Sequence, residues 1–478
     1  MEADMGRFSG LSSYKAAGFM LAVFLLLVLP PTAEGRVVVS PKGIRVGMAQ
    51  DIISQEFFVQ GAYHAVDRQS GEVLAEVLPG DPWEVRCPGG ELQLYRNGEL
   101  IAGSGRALGL EQVSRSVSVL GGDGSIKNIE QSDKVSVIIG GGSVSSVSID
   151  SGVSLLSGSG RSSIQGGGGL NLVSLLLSGR TQRFRGDMEF RAQGQGITII
   201  NELPLEEYLY GVLPREMPAA WPQEAQKAQA VASRTFALAH LGTYSAYGFD
   251  ILATQMSQVY GGYDAENPNS TRAVNDTAGQ ALLNRGKPIS AFFHSSSGGF
   301  TENVQDVWQE SLEYIVSRPD PHDSNDEHYD WVVSYNSSQL ADQLNSKKGL
   351  FNTANSPERV FSAVDDIAVL DKTSSGARAK RIKITGVDGD GQQLTVEIGN
   401  ADSVRMALGL KSSLFEIKTD RDISGRLVSV TLTGSGYGHG LGMSQYGACG
   451  MANQGYNYQE ILEYYYNNCG IGPLSGVE

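Results

Sequence analysis

Between Pro222 and His240 the chain carries alanine at 225, 228, 232 and 239, and Phe236 completes a run of three- and four-residue steps. That is the period of one helical face, and Pro222 and Glu224 suit the first turn of such a helix. Small side chains along the stripe let another backbone approach closely, which restricts what the helix can pack against. Upstream, "GDMEFRAQGQGITIINELP" reads as two strands around a glycine turn. It is followed by a short helix, "LEEYLYGVL", with Pro204 in its first turn and Pro214 expected to stop it. Glu216 then lies just past a helix end, next to the apolar Met217-Pro218-Ala219-Ala220-Trp221-Pro222 stretch. Downstream, "KPISAFFHSSSGGFTE" contains a strand and "ARAKRIKITGVDGDGQQLTVEIG" a hairpin. "RLVSVTLTGSGYGHGLGMSQYGACGMANQGYNYQEILEYYY" reads as a strand, a Gly-rich loop and a terminal helix.

The expected class is α+β, a β-rich module followed by a mixed helix and strand region. With 478 residues, 41% of them hydrophobic, the chain can bury two or three structural units. Lys plus Arg is 37 against 52 for Asp plus Glu, a net charge of −15 with no long basic run, which argues against a nucleic-acid partner. Residues 1–35 read as a secretory signal: the apolar run "FMLAVFLLLVL" is shorter than the roughly 20 residues a spanning helix needs. A membrane anchor is the alternative. Residues 36–115 form the β-rich module, with a hairpin signal at Arg96-Asn97-Gly98. Residues 116–170 are dominated by Ser and Gly and read as an insertion or linker, with low-complexity strands as the alternative. The second region covers 171–478. Three cysteines, Cys87, Cys449 and Cys469, do not make a disulfide framework, and pairing of Cys449 with Cys469 stays open. The Asp388-Gly389-Asp390-Gly391 step lacks the later ligands of a calcium loop and reads as a turn.

Glu216 is the carboxylate whose neighbours suggest chemistry. Met217, Pro218 and Trp221 can desolvate it and raise its pKa, keeping a proton on hand; a nearby Arg215 guanidinium would act the other way. A solvated turn glutamate is the plain alternative.

Four separated blocks change that balance: "LPLEEYLYGVLPREMPAAWPQEAQKAQAVASRTFALAH", "YGGY", "AFFHSSSGGFTENVQDVW" and "GYGHGLGMSQYGA". Together, over about residues 171–470, they resemble the SpoIID/LytB family of bacterial cell-wall proteins. The family includes sporulation proteins that act as lytic transglycosylases on peptidoglycan and relatives described as enhancers of cell-wall amidases. The resemblance implies that Glu216, in the family's Glu-Met-Pro, is the catalytic acid. Lys227, Gln229 and Arg234 are the polar positions of the following helix expected near substrate: Lys227 and Arg234, seven residues apart, lie on roughly one face, while Gln229 projects elsewhere unless the groove wraps around the helix. The plain alternatives are a solvated face for Lys227 and a structural salt bridge for Arg234; the resemblance, which matches both to polar family positions, favours function. His294 opens a Ser/Gly loop and either bonds glycan hydroxyls or only caps the loop. Some family members carry a zinc-binding His and Cys set in this block, but positions 300 and 306 are Phe and Asp, so no metal and no cofactor is expected. Glycines at 434, 436, 438 and 440 permit close approach and positive φ. His439, Ser444 and Gln445 offer polar groups to a sugar groove.

"HDSNDEH", residues 322–328, reads as a solvated loop rather than a metal site, and Gly158-Ser159-Gly160 lacks the context of a nucleophile elbow. The reading is therefore an exported protein of the periplasm or cell envelope that cleaves glycan strands. The competing readings are a non-catalytic glycan-binding enhancer, with a cell-wall amidase as partner, and a structural envelope protein that would fail to bind purified glycan.

Overall fold

The computed structural model describes residues 43–113, 170–308, 311–324, 329–351 and 360–473, and the backbone of six short strands between 117 and 164. The signal expected over 1–35 lies outside the described residues. The class is α+β. Two antiparallel sheets form the N-terminal half. One is six-stranded, in the order Arg180–Phe184, Leu172–Leu177, Ser54–Gln60, Trp83–Arg86, Leu92–Arg96 and Glu99–Ser104. The other has seven strands, Ile251–Leu252, Ile44–Ile52, Gly196–Leu203, Asp187–Gln193, Ala107–Gln112, Tyr63–Asp67 and Val73–Val77, in which Ile251–Leu252 joins Ile44–Ile52 in parallel. Alternation sets which side chains meet: along Ser54–Gln60 every second residue is buried, and Phe57 packs on Phe190 of the other sheet with ring centroids 5.6 Å apart.

The sandwich continues through Leu203, so the boundary expected at 171 falls inside it. The Asn97-Gly98 hairpin is present, with φ of 53° and 81° at the two turn residues. Both ends of the Ser/Gly-rich stretch leave beside Gly61: Val113 N–H donates to Ala62 O, and Leu172 pairs with Gln60. Within that stretch, Val117–Leu120 pairs with Ile126–Ile129, Lys134–Ile139 with Ser143–Ser148, and Val153–Ser157 with Gly160–Ile164. A long insertion between two adjacent loop ends costs little closure entropy.

Helix α1 (Leu205–Glu216) follows the buried strand Gly196–Leu203 and places Tyr208, Leu209, Val212 and Leu213 in the sandwich core. Helix α2 (Gln223–Ala239) is buried on nearly every side. Ala230 and Ala237 face the sandwich core, while Ala225, Ala228 and Ala232 face a second core built with Met217, Ile289 and the C-terminal helices. The alanine stripe seen in the sequence thus accounts for one of two close contacts. Helix α3 (Pro268–Asp276), capped by the Asn267 side chain, packs on α1 and α2. Beyond the one-turn helix α4 (Val304–Val307) comes a third core from residues 331–432. It combines α5 (Ser337–Asn345), α6 (Ala401–Ala407) and two three-stranded sheets. One of these holds the expected hairpin, Ala379–Val387 with Gln393–Gly399, whose turn is closed by Asp388 accepting from the N–H groups of Asp390 and Gln392. The chain finishes with α7 (Gln445–Asn453) and α8 (Tyr458–Tyr465), two helices where the sequence suggested one. An Asn457/Glu460 capping box starts the second. Among the described residues no helix is long and apolar enough to cross a membrane.

Candidate functional site

Pro214 does not stop α1. The helix runs on to Glu216 because a proline forfeits only its own bond to the residue four back, while the Met217 N–H still donates to Leu213 O at 3.0 Å and both Leu213 and Met217 are buried. Glu216 is therefore the last residue of α1 rather than a loop residue. Its Oε1 accepts the Val259 N–H at 3.0 Å, across 43 residues of sequence. Burial pushes its pKa up, the Val259 N–H and then Arg215 pull it down, and the balance is a raised value. Arg215 is exposed, with its aliphatic stem against Gly261, and no ion pair joins it to Glu216 among the described residues. Of the apolar neighbours expected to desolvate Glu216, Met217 is buried and Trp221 half-buried against Tyr446, with ring centroids 4.7 Å apart, but Pro218 is exposed.

On α2 the polar residues divide. Gln229 is fully buried, its Nε2 donating to Ser233 Oγ at 3.0 Å and its Oε1 accepting from Gln445 Nε2 at 3.5 Å. Lys227 is paired with Glu224 at 3.0 Å and Asp276 at 3.3 Å. Arg234 is 0% exposed: Nε and Nη2 clasp the Glu206 carboxylate at 2.8 and 2.6 Å, and the rest of the guanidinium donates to Val274 O and Gln280 O. Glu206 is in the first turn of α1 and Glu216 in its last, about 15 Å along the axis. Arg234 thus locks α1, α2 and α3 together at the end away from Glu216.

The two later motif blocks lie side by side. Phe293–His294 pairs in parallel with Met443–Ser444, and Ser296 bridges to Tyr437. The Gly-rich loop crosses this strand so closely that a Cβ at Gly438 (φ 114°) would lie 2.8 Å from the His294 Cβ, and one at Gly442 (φ 67°) 2.0 Å from Phe292 O. Gly434, in contrast, is strand backbone against Trp331. One residue, Leu441, orients both histidines: His294 Nδ1–H donates to Leu441 O at 3.0 Å, and Leu441 N–H donates to His439 Nδ1 at 3.0 Å. The rings are 5.5 Å apart. Desolvation lowers the pKa of each, reinforced at His294 by His439 and Arg378 and opposed at His439 by Asp402, so both are neutral near pH 7. Ser444 caps α7, accepting from Gly447 N–H, and Gln445 joins the Gln229 amide.

A zinc set does not fit this loop. Phe300 is part-exposed, Asp306 is taken by Lys380 Nζ at 2.7 Å and by Ser374, and no three His, Cys, Asp or Glu residues converge among the described residues. Cys87, Cys449 and Cys469 are free thiols.

The "HDSNDEH" stretch is not a solvated loop at Asp323, which is 1% exposed. Its Oδ2 accepts from Ser296 Oγ, Ser297 N–H and Oγ, and Gly298 N–H, so it holds the His294 loop in shape; residues 325–328 lie outside the described residues. Other contributors also carried no sequence signal. Buried Arg378 donates to Ser297 O at 2.6 Å and Phe300 O at 3.2 Å, and Asp320 accepts from Tyr465 OH at 2.9 Å. Gln258, just before the Tyr260 to Tyr263 motif, is buried between α1 and α2. Each works through partners distant in sequence, which no local period marks.

Comparison with known proteins adds to this arrangement. A family profile described as Stage II sporulation protein (SpoIID) matches residues 193–283, which include α1, α2 and Glu216. A second, described as a domain of unknown function (DUF8618), matches 294–442, from His294 into the Gly-rich loop. The chain is 32% identical over 292 residues to Stage II sporulation protein D of Bacillus subtilis (strain 168), covering 57% of this chain and 75% of that protein. It is 31% identical over 287 residues to the protein of the same name from Bacillus amyloliquefaciens, with the same coverage of 57% and 75%. It is also 32% identical over 294 residues to the Amidase enhancer of B. subtilis (strain 168), covering 54% of this chain but only 39% of that longer relative. With three quarters of stage II sporulation protein D matched at this identity, the chain belongs to the SpoIID family.

Proposed function

We propose that this chain is an exported cell-wall protein that cleaves peptidoglycan glycan strands as a lytic transglycosylase, with Glu216 as acid and then base. The observation that carries the reading is the environment of Glu216: a carboxyl biased toward its protonated form by burial, steadied by one backbone N–H and free of an ion-pair partner. The histidines of the motif blocks are neutral near pH 7, and a neutral imidazole is a far weaker acid than a carboxyl. Glu216 would protonate the leaving glycosidic oxygen. Its carboxylate would then take the proton of the muramyl C6 hydroxyl as that oxygen attacks the anomeric carbon, closing a 1,6-anhydro ring. One carboxyl group suffices because the nucleophile is the sugar's own hydroxyl. In the same reading His439 and Gln445 face the glycan, His294, Ser444 and Gln229 support them from buried positions, and Lys227 and Arg234 serve structural pairs.

The test is incubation of the mature protein with intact and with peptide-stripped glycan, followed by mass spectrometry. Anhydro-terminated products are expected, and Glu216→Gln should lower their rate by about 10²–10⁴-fold or more while glycan binding persists. Unchanged turnover in that variant removes the catalytic assignment. The relative called an amidase enhancer favours a second reading, in which the chain binds glycan without cutting it and stimulates a cell-wall amidase. That reading requires no product from either glycan alone and faster peptide release when an amidase is added.

A further inference from the structure

The segment from Gln258 to Gly261 runs as a strap against the strand Gly196–Leu203, α1 and α2. Tyr260 OH donates to Asn201 Oδ1 of the sandwich at 2.9 Å, Gly261 N–H donates to Gly211 O of α1 at 3.0 Å, and Val259 N–H is the donor that meets Glu216. Gln258 is the strap's link to both helices. Its side chain is 1% exposed, its Oε1 accepts from Tyr208 OH of α1 at 3.2 Å, and its Nε2 donates to Ser233 O of α2 at 3.2 Å. The amide cannot flip without placing a donor against the Tyr208 hydroxyl proton and an acceptor against a carbonyl. Tyr208 is buried and stays protonated, because desolvation and the Glu216 charge both disfavour its phenolate. From Ser233 the chain of buried polar contacts continues through Gln229 to Gln445 at the start of α7, so the strap is tied to the Gly-rich loop as well.

The geometry points to Gln258 as a positioning residue, whose buried amide, fixed between Tyr208 and Ser233, aims the adjacent Val259 N–H at the Glu216 carboxyl. The inference rests on the reading of Glu216 as the acid. A backbone N–H directed at one oxygen favours the ionised form that must accept the second proton, and it leaves the other oxygen available to carry the first. Of the titratable and charged groups around Glu216, Arg215 sits at the surface of the same helix. Tyr208 lies on that helix too, with the ring of Tyr260 from the strap tilted against its own, centroids 5.2 Å apart. None of these supplies the directional contact that Val259 does.

The experiment follows the Glu216 carboxyl directly, by 13C NMR titration of the full chain labelled at glutamate carboxyl carbons, the resonance being the one missing in Glu216→Gln. In Gln258→Met, which keeps side-chain volume and removes both hydrogen bonds, the Glu216 midpoint should move to higher pH as Val259 loosens. The kcat on purified glycan should fall about 10-fold with KM changed less than about 2-fold. Tyr208→Phe, which removes one hydroxyl, should shift the midpoint the same way and serves if Gln258→Met does not fold. A Glu216 midpoint equal to wild type in a folded variant overturns the inference, and a lower content of folded protein without that shift overturns it too, leaving Gln258 a packing residue. Anhydro product from Glu216→Gln at the wild-type rate would remove the acid assignment and the positioning role together. An inactive Glu216→Gln beside a wild-type midpoint in Gln258→Met would remove only the latter.

Discussion

Asp320 gives the fold an unusual pH dependence. Its carboxyl is 0% exposed, accepts from Tyr465 OH, and lies near the buried Asp323 that holds Ser296, Ser297 and Gly298. Burial and then the like charge of Asp323 raise its pKa from 3.8 to about 6, against the opposing hydrogen bonds from Tyr465, Ser297 and His322. The folded state therefore binds a proton more tightly than the unfolded chain. Between about pH 3.8 and 6 it carries more protons, so stability falls as pH rises through that window. The interval is worth about 3 kcal/mol. Asp320→Asn keeps an acceptor for Tyr465 and cannot ionise, so its stability relative to wild type should rise by about 2.4 kcal/mol between pH 4 and pH 7, the remainder of the interval lying below pH 4. Calorimetric scans at pH 4, 5, 6 and 7 would read this as a melting-temperature difference widening by about 5–10 °C in the transition of a unit of 150–250 residues. Asp323→Asn should narrow the window by removing the neighbouring charge. A constant offset between wild type and Asp320→Asn across these pH values would refute the reasoning, because only a carboxyl whose pKa differs between the folded and unfolded states makes the gap depend on pH.

Two further outcomes follow from the site's supports. Arg234→Met should destabilise the fold by about 2–3 kcal/mol in urea titrations, below the figure for a wholly buried pair because Glu206 keeps 29% of its side-chain exposure, and should leave the Glu216 titration unmoved. Gly442→Ala should cost more than about 2 kcal/mol and lower the yield of folded protein, since its φ is 67° and the new Cβ would fall 2.0 Å from Phe292 O; wild-type stability there would mean the loop can move off the Phe293–His294 strand.

Sequence alone determined the elements whose cause is local. The Asn97-Gly98 turn follows from two residues that tolerate positive φ, α2 from its three- and four-residue spacing after Pro222, and Glu216 stood out through the apolar text beside it and the wording of four separated blocks. Only tertiary structure decided what those residues do. It carried α1 through Pro214 because the next turn's bond and two buried side chains outweigh one missing N–H. It made Arg234, a candidate for contact with substrate, a buried strut, and it made Asp323 a loop anchor where local composition read as solvated. The proton affinity of Glu216 is the sharpest case. It is set first by desolvation, then by an N–H 43 residues away and only third by the neighbouring Arg215, because a carboxyl responds to the charges, donors and water around it in space, whatever their distance along the chain.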